Sequence, residues 1–461
     1  ILALFSVFVH FPYFVRSFLL KHAAKVAAFL AIFVFLNLIL CCFMPPDNGS
    51  SLAMWRNYYQ KTDIDLAVFG SSLATCALPE DELSQNTGLS VCSLATNMQS
   101  WDMTEIAVDT ILQEHHPKTA ILVMDYYNMG SDPYPKAQYA FLYGKLETAP
   151  VAQIPSVLLR YMTGKTNFFK DTSLNALIPW QSGTWPKDWK AAITQETANI
   201  KERLQPNFAA SSVGEIDVSH RQNAPDKTID FDTIGVENTW NFSAHTFLQK
   251  RYDELAEICD QCRTHNVDLI VICPPKPVLD IVSYENYFET YQTFCDFFAA
   301  HGATYYDFNL AKDSLFKNKE LSYYSDHTHM NKTGGRAFCQ SMAKFLQLRQ
   351  SGADVNALFI TPQEYLARVN YITNVYFLIE SHSDKFILLA NCYHGPSVQA
   401  EYEYLVKGPN DTEYHTFSNY TDRSWAEYPV TEHGTYTFRV NARVVGSDVP
   451  FERYYEQQVD Y

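Results

Sequence analysis

At 461 residues, 47% hydrophobic and 19% charged, the chain is too apolar for disorder and long enough for two or three domains. Its formal charge is −16, but the first 46 residues hold three basic and no acidic side chains, leaving 32 basic against 51 acidic beyond them. So acidic a remainder argues against nucleic acid or an anionic lipid surface as its partner.

The first predicted element is a membrane anchor. VAAFLAIFVFLNLILCCFM (26–44) is uncharged, is interrupted only by Asn37, and approaches the ~20 residues that cross a bilayer. Arg16, Lys21 and Lys25 precede it; Pro45, Pro46 and Asp47 follow. The positive-inside rule then places the N-terminus in the cytoplasm and everything after about residue 46 outside. A cleaved signal peptide is the rival reading, but the run is long for one and no A-x-A site follows. The expectation is a single-pass cell-membrane protein with residues 1–46 as its anchor.

DLAVF (65–69) is the first strand by its length and apolar run, and it turns through glycine and two serines into a helix. LSVCSL (89–94), TAILVMD (119–125), DLIVICPP (268–275) and ATYYDF (303–308) read as four more strands. Helical stretches fall at 102–113, 245–265, 284–300 and 331–348. Continuous apolar strands separated by helices predict an α/β fold: a parallel sheet with helices on both faces over 47–350. About 115 residues, 131–245, break this rhythm and include Trp180, Trp185, Trp189 and Trp240. They read either as a partly helical cap beside the strand ends or as an insertion away from any site. After an ambiguous linker at 351–368, short alternating strands predict a small all-β sandwich of immunoglobulin or fibronectin kind over 369–461.

The ten cysteines show no small-scaffold spacing. Cys259 and Cys262 form a C-x-x-C, yet Leu248, Tyr252, Leu255 and Cys259 share one face of a helix, so buried thiols are the better reading than a redox or zinc pair. A metal site from Asp326, His327 and His329 lacks a distant third ligand and makes a poor zinc centre. No metal or organic cofactor is expected.

Two short stretches carry chemistry. In SDHTHMN (325–331), Asp326 and His329 are three apart, a spacing at which a carboxylate can accept the imidazole Nδ1–H and leave Nε2 as a base. Alone this is also what a surface turn with a helix cap looks like. In FGSSL (69–73), the serines stand at the C-terminal end of the first parallel strand, where such sheets bind ligands and a helix N-terminus offers N–H groups to an oxyanion. The alternative there is a tight turn and a cap. The pair together, in the order serine, aspartate, histidine, points to nucleophilic acyl chemistry. The G-x-S-x-G elbow is absent, since Ala74 stands where its second glycine belongs.

FGSSL resembles the first block, F-G-D-S-L, of the SGNH/GDSL hydrolase superfamily, and DHTHMN resembles its last block. The resemblance implies Ser72 as nucleophile, with Ser71 in the aspartate's place, and Asp326 and His329 as the rest of a catalytic triad. SVCSLATNMQS (90–100) resembles the second block, with Ala95 where its oxyanion glycine would align. LVMDYYNMG (122–130) falls at the third block, with Asn128 as the oxyanion asparagine, although Tyr126 and Met129 replace its glycine and aspartate. The likeness covers roughly residues 60 to 350. With a single anchor and a D-x-T-H-x-N ending, it looks like the exported proteins of D-alanyl transfer and alginate O-acetylation. It implies an extracytoplasmic serine acyl-esterase or O-acyltransferase acting on an acylated glycan or cell-surface polymer, working with a membrane-bound O-acyltransferase. The competing expectation is a non-catalytic envelope protein, with a degenerate SGNH domain and a β-module that binds glycan or a partner.

Overall fold

The computed structural model describes residues 13–44, 46, 49–124, 126–149, 154–155, 183–204, 228, 247–284, 286–318 and 320–461. The chain divides into two compact units, Ile1–Gln60 with Pro133–Ile216, and Lys61–Asp132 with Asp217–Tyr461.

Within the described residues the first unit is helical. Its first helix, Tyr13–Phe43, is 31 residues long, and large apolar side chains such as Phe29, Ile32 and Phe35 are more than half exposed on it. Among the described residues no helix is long and apolar enough to cross a membrane, so the expected anchor over 26–44 has no support from that quarter. The side chains of Val34, Leu38, Ile39, Cys41 and Cys42 within it lie outside the described ones. Helices Ser50–Gln60 and Pro135–Thr148 pack on one another. Fully buried Trp55 donates Nε1–H to the Phe141 carbonyl at 3.1 Å. The buried Lys145 ammonium lies 4.2 Å from the Trp55 ring centroid, a cation–π contact. Of the expected insertion, the helices Pro135–Thr148 and Trp189–Arg203 are described; Trp180 and Trp240 lie outside.

The second unit is mixed α/β. Strands β1 (Leu66–Gly70), β2 (Val91–Ala95), β3 (Thr119–Val123), β4 (Asp268–Cys273) and β5 (Thr304–Asp307) form one parallel sheet in the order β2-β1-β3-β4-β5. Every residue of β1 is buried. Strand side chains alternate between faces, so burial of both alternating sets means that both faces are covered, which is why the strands read as unbroken apolar runs. Leu66, Val68, Ile121, Ile270 and Ile272 pack on one face with Phe338, Met342 and Phe345 of the helix Lys332–Gln350.

Strands β6 (Ile372–Ser381), β7 (Lys385–His394), β8 (Ala400–Lys407), β9 (His415–Thr421), β10 (Trp425–Pro429), β11 (Thr435–Val444) and β12 (Arg453–Asp460) make two antiparallel sheets, β10-β7-β6 and β12-β11-β8-β9, around a shared apolar core. The stretch 351–368, expected as a linker, is folded. A 3-10 turn at Val355–Leu358 and the helix Pro362–Arg368, with a Thr361/Glu364 capping box, lie along it. Val355 joins the core of the parallel sheet and Phe359 packs against it, stacking at 5.6 Å on Tyr306. Tyr393 of β7 belongs to that same core, so the parallel sheet and the antiparallel pair share apolar contacts across the expected boundary.

Candidate active site

From β1 the chain goes to β2 on one side and then crosses back to β3 on the other. That reversal leaves a crevice at the C-terminal ends of β1 and β3, the place where open parallel sheets bind ligands. The two serines follow β1 directly. Gly70 turns the chain at φ +145°, a region L side chains rarely adopt, and a Cβ there would stand 3.0 Å from the Val123 carbonyl oxygen. Ser71 is the N-cap of the helix Ser72–Ala77, its Oγ accepting from the Leu73 N–H at 3.4 Å. Ser72 is the first helical residue, and its Oγ lies 2.8 Å from His329 Nε2.

The histidine is presented by a tight hairpin. Tyr324 and Met330 form an antiparallel bridge, and the Ser325 N–H donates to the His329 carbonyl at 2.9 Å. Inside the loop, Asp326 Oδ1 accepts from the Thr328 N–H at 2.9 Å and the His329 N–H at 2.8 Å, and it stands 3.0 Å from His329 Nδ1. The three-residue spacing thus does two jobs: the carboxylate closes its own turn and faces the imidazole it orients. With an acceptor at Nδ1, the neutral ring carries its proton there and leaves Nε2 to accept from the Ser72 hydroxyl. Burial pushes the Asp326 carboxyl up. The hydrogen bond and charge of His329, with the two backbone N–H groups, outweigh it and hold the group well below the usual carboxylate range.

Hairpin and serine turn are locked together by the helix Lys332–Gln350. Asn331 caps it, its Oδ1 accepting from the Gly334 N–H at 3.0 Å, while its Nδ2 donates to the Ser322 carbonyl at 2.7 Å. Gly335, one turn in, lies so close to the serine helix that a Cβ would fall well inside contact distance of the Cys76 carbonyl oxygen. The double glycine in NKTGG thus lets this helix come close to the turn at Tyr323 on one side and to the serine helix at Cys76 on the other.

The oxyanion side is less sharply drawn. Ala95 ends β2 as the register partner of Gly70, two residues before Ser72. The next N–H, of Thr96, donates to the Gly70 carbonyl at 3.3 Å. Asn128 is buried in the short helix Tyr127–Gly130, and one of its amide N–H groups donates to the Gln99 carbonyl at 2.7 Å. Residues 96–99 thus tie the ends of β1, β2 and the segment after β3 together. Met98 takes φ +56°, left-handed for a non-glycine residue, with its side chain 43% exposed. Sequence reading missed Met98, Gln99 and Thr328, whose Oγ1 lies 3.0 Å from His329 Nδ1. Only Thr328, set between the aspartate and the histidine, carried a signal.

Also unforeseen is a buried polar cluster at the ends of β4 and β5. Asp307 Oδ2 accepts from the Tyr287 hydroxyl at 2.8 Å, and Asp307 Oδ1 from Asn309 Nδ2 at 2.7 Å. The hydroxyls of Tyr126 and Tyr305 meet at 2.6 Å. Cys259 and Cys262 are buried, unpaired thiols, each pushed up to about 12 by desolvation. Among the described residues no group of three or more His, Cys, Asp or Glu side chains could hold a metal ion.

No family model matches the chain, and no curated protein matches it. Among solved structures, an endo-beta-1,4-mannanase from Thermotoga petrophila is similar at 8% identity over 91% of this chain and 93% of its own, with a TM-score of 0.15. An engineered protein is similar at 10% identity over 90% of this chain and 97% of its own, with a TM-score of 0.14. Likenesses that faint carry no argument about fold or function.

Proposed function

We propose that the chain is a serine acyl-esterase or O-acyltransferase of SGNH type that acts on acylated glycan of the cell envelope. One observation carries the reading: Ser72 Oγ, His329 Nε2, His329 Nδ1 and Asp326 form a continuous hydrogen-bonded line at 2.8 and 3.0 Å. It stands in the switch-point crevice of a parallel sheet. In this reading Ser72 Oγ attacks the acyl carbonyl as His329 Nε2 takes its proton. The leaving hydroxyl receives that proton and the acyl group stays on Ser72. Water, or a sugar hydroxyl, then gives its proton to Nε2 and attacks the acyl-serine, releasing acid or a new ester. Backbone N–H groups near Ser72 and Ala95, with the Asn128 amide, stabilise the oxyanion.

The membrane anchor and a membrane-bound O-acyltransferase as partner belong to the same proposal and rest on the sequence alone, on the uncharged run 26–44 behind Arg16, Lys21 and Lys25 and on the resemblance. The second reading, a non-catalytic envelope protein, is favoured by one contact, the Asn128 amide already bonded to Gln99. A fluorophosphonate probe separates the two. Labelling at Ser72 alone, with turnover of an activated phenyl acetate that Ser72→Ala abolishes, supports the enzyme. Turnover that survives Ser72→Ala ends the serine mechanism.

A further inference from the structure

Four donors converge on Asp326 Oδ1. The backbone N–H groups of His329 and Thr328 reach it at 2.8 and 2.9 Å, His329 Nδ1 stands at 3.0 Å and Thr328 Oγ1 at 3.2 Å. A carboxylate oxygen offers about two lone pairs, and the two shortest contacts, both from the backbone, take them. The imidazole Nδ1–H is therefore left to share. Asp326 Oδ2 lies 3.1 Å from Nδ1, and Thr328 Oγ1 lies 3.0 Å from it, as near as either carboxylate oxygen.

The hydroxyl at 328 has one way to sit between these groups. An ionised carboxylate only accepts, and Nδ1, in the tautomer that leaves Nε2 free for Ser72, only donates. The Thr328 O–H then points to Asp326 Oδ1 and turns a lone pair toward Nδ1–H. Closing the turn does not require this, because the Thr328 N–H does so with any residue other than proline. The branched side chain limits rotation about χ1, so the oxygen is held in place before any proton moves. Asp326 and His329 keep about a third of their side chains exposed. Without the hydroxyl, the place beside Nδ1 is open to water.

We propose that Thr328 is a positioning residue: its hydroxyl is a second acceptor for His329 Nδ1–H, sharing that proton with Asp326 and keeping water from it. The serine mechanism it would serve rests on the proposed function; the placement of the hydroxyl does not. When Nε2 takes the Ser72 proton, the ring becomes an imidazolium. Its Nδ1–H then faces two oxygens already aligned, one charged and one neutral, so nothing has to reorganise as the charge develops. Thr328 touches neither the acyl group nor Ser72 in this account. Its effect falls on the step that charges the ring, and so on kcat rather than on substrate binding.

The test has two arms, both on the full chain in detergent. In the first, without substrate, histidine is labelled with nitrogen-15 and the His329 Nδ1–H resonance is identified by its absence in His329→Ala. It should be observable in the wild type and in Thr328→Ser. It should be lost to exchange with water in Thr328→Val, which keeps the branched shape without the hydroxyl. No such resonance in the wild type, its survival in Thr328→Val, or its loss in Thr328→Ser overturns the proposal. In the second arm, turnover of an activated phenyl acetate is measured. Thr328→Val should lower kcat about tenfold, the worth of one hydrogen bond, with KM within about twofold, and Thr328→Ser should restore most of the loss. In Asp326→Ala, where the hydroxyl still reaches Nδ1, adding Thr328→Val should cost about 10²-fold more, because that bond then meets the charged ring unaided. Equal factors in the two backgrounds, or a kcat that ignores Thr328→Val, overturn the assignment. A wild type without turnover but with the expected Nδ1–H pattern removes the proposed function and leaves the placement of Thr328. Turnover that needs Ser72 and ignores Thr328→Val removes Thr328 and leaves the function.

Discussion

Two aspartates near the C-terminal edge of the parallel sheet are driven in opposite directions. Asp307 ends β5 almost wholly buried, and burial pushes its carboxyl up to about 6 against the lowering effect of Tyr287 and Asn309. Asp326 keeps about a third of its side chain exposed, faces His329, and is held well below the usual range. Burial and partner together make the difference. A histidine and two backbone N–H groups favour the charged form; a phenol and an amide in a dry cluster compensate too little for lost hydration. One carboxylate is thus a permanent charge that orients a base. The other holds the loop after β4, through Asn309, with little need of its charge. Pairs of acids pushed apart by their surroundings are how one sheet edge supports two roles.

The strongest way to break that comparison is at the charged end. His329→Ala should cut esterase turnover about 10⁶-fold, and a double variant with Ser72→Ala should be no worse, because triad members act as one unit. Asp326→Ala should cost roughly 10⁴-fold in kcat, less than the histidine, since Thr328 Oγ1 still reaches Nδ1. Asp307→Asn should change kcat by less than about threefold. An Asp307 variant as damaged as the Asp326 one would mean that both carboxylates serve the chemistry.

The lock between the two helices gives the next effect. Gly335→Ala places a methyl group against the Cys76 carbonyl, so the helix must lift and the Ser72–His329 contact must lengthen. A misplacement of about 1 Å costs on the order of 10² in rate. The expected result is a fall of that size in kcat for a protein that still folds by circular dichroism. Unchanged kcat would show that the hairpin, and not the glycine contact, sets the height of His329.

Stability against pH sharpens the contrast further. Asp307 has a folded pKa above its unfolded value of about 3.9, so the folded chain holds that proton more tightly, and its contribution grows as pH falls from 7 through 6 toward 4. Asp326 runs the other way: its contribution is present above about pH 4 and is lost as pH falls further, through its folded value. The Tm should therefore rise between pH 7 and 5, by an amount worth roughly 1 kcal/mol, and Asp307→Asn should flatten that rise. A wild-type Tm that falls steadily over this window would contradict the buried assignment.

The sequence made some of this legible and hid the rest for physical reasons. The five parallel strands showed because strands buried on both faces are continuous apolar runs. Ser72, Asp326 and His329 showed because each block is contiguous in the chain, and the structure brings the three side chains into one hydrogen-bonded line. Ala95 and Asn128 were legible only through the resemblance, and Gln99 was not legible at all, because it meets the Asn128 amide through its backbone carbonyl, a group every residue carries. Tyr126, Tyr287 and Tyr305 are brought together only by the crossover topology. The stretch 351–368 looked like a linker because it buries only a few side chains, Val355 and Tyr365 among them, in short turns with no period long enough to read.

The smallest expected effect decides which serine is the nucleophile. Ser71 and Ser72 are neighbours in one turn, but their hydroxyls are committed differently. Ser72 Oγ points to a base at 2.8 Å, while Ser71 Oγ, almost fully buried, accepts a long 3.4 Å bond as the cap of a six-residue helix. Losing such a cap costs about 1 kcal/mol of stability, and a bond that long sits at the low end of the range. Ser71→Ala should therefore lower Tm by a few degrees, reduce kcat less than about tenfold, and leave probe labelling at Ser72 intact. A collapse of activity in Ser71→Ala with a normal Tm would move the nucleophile by one residue, and the 2.8 Å contact would then mark a resting arrangement and not the reacting one.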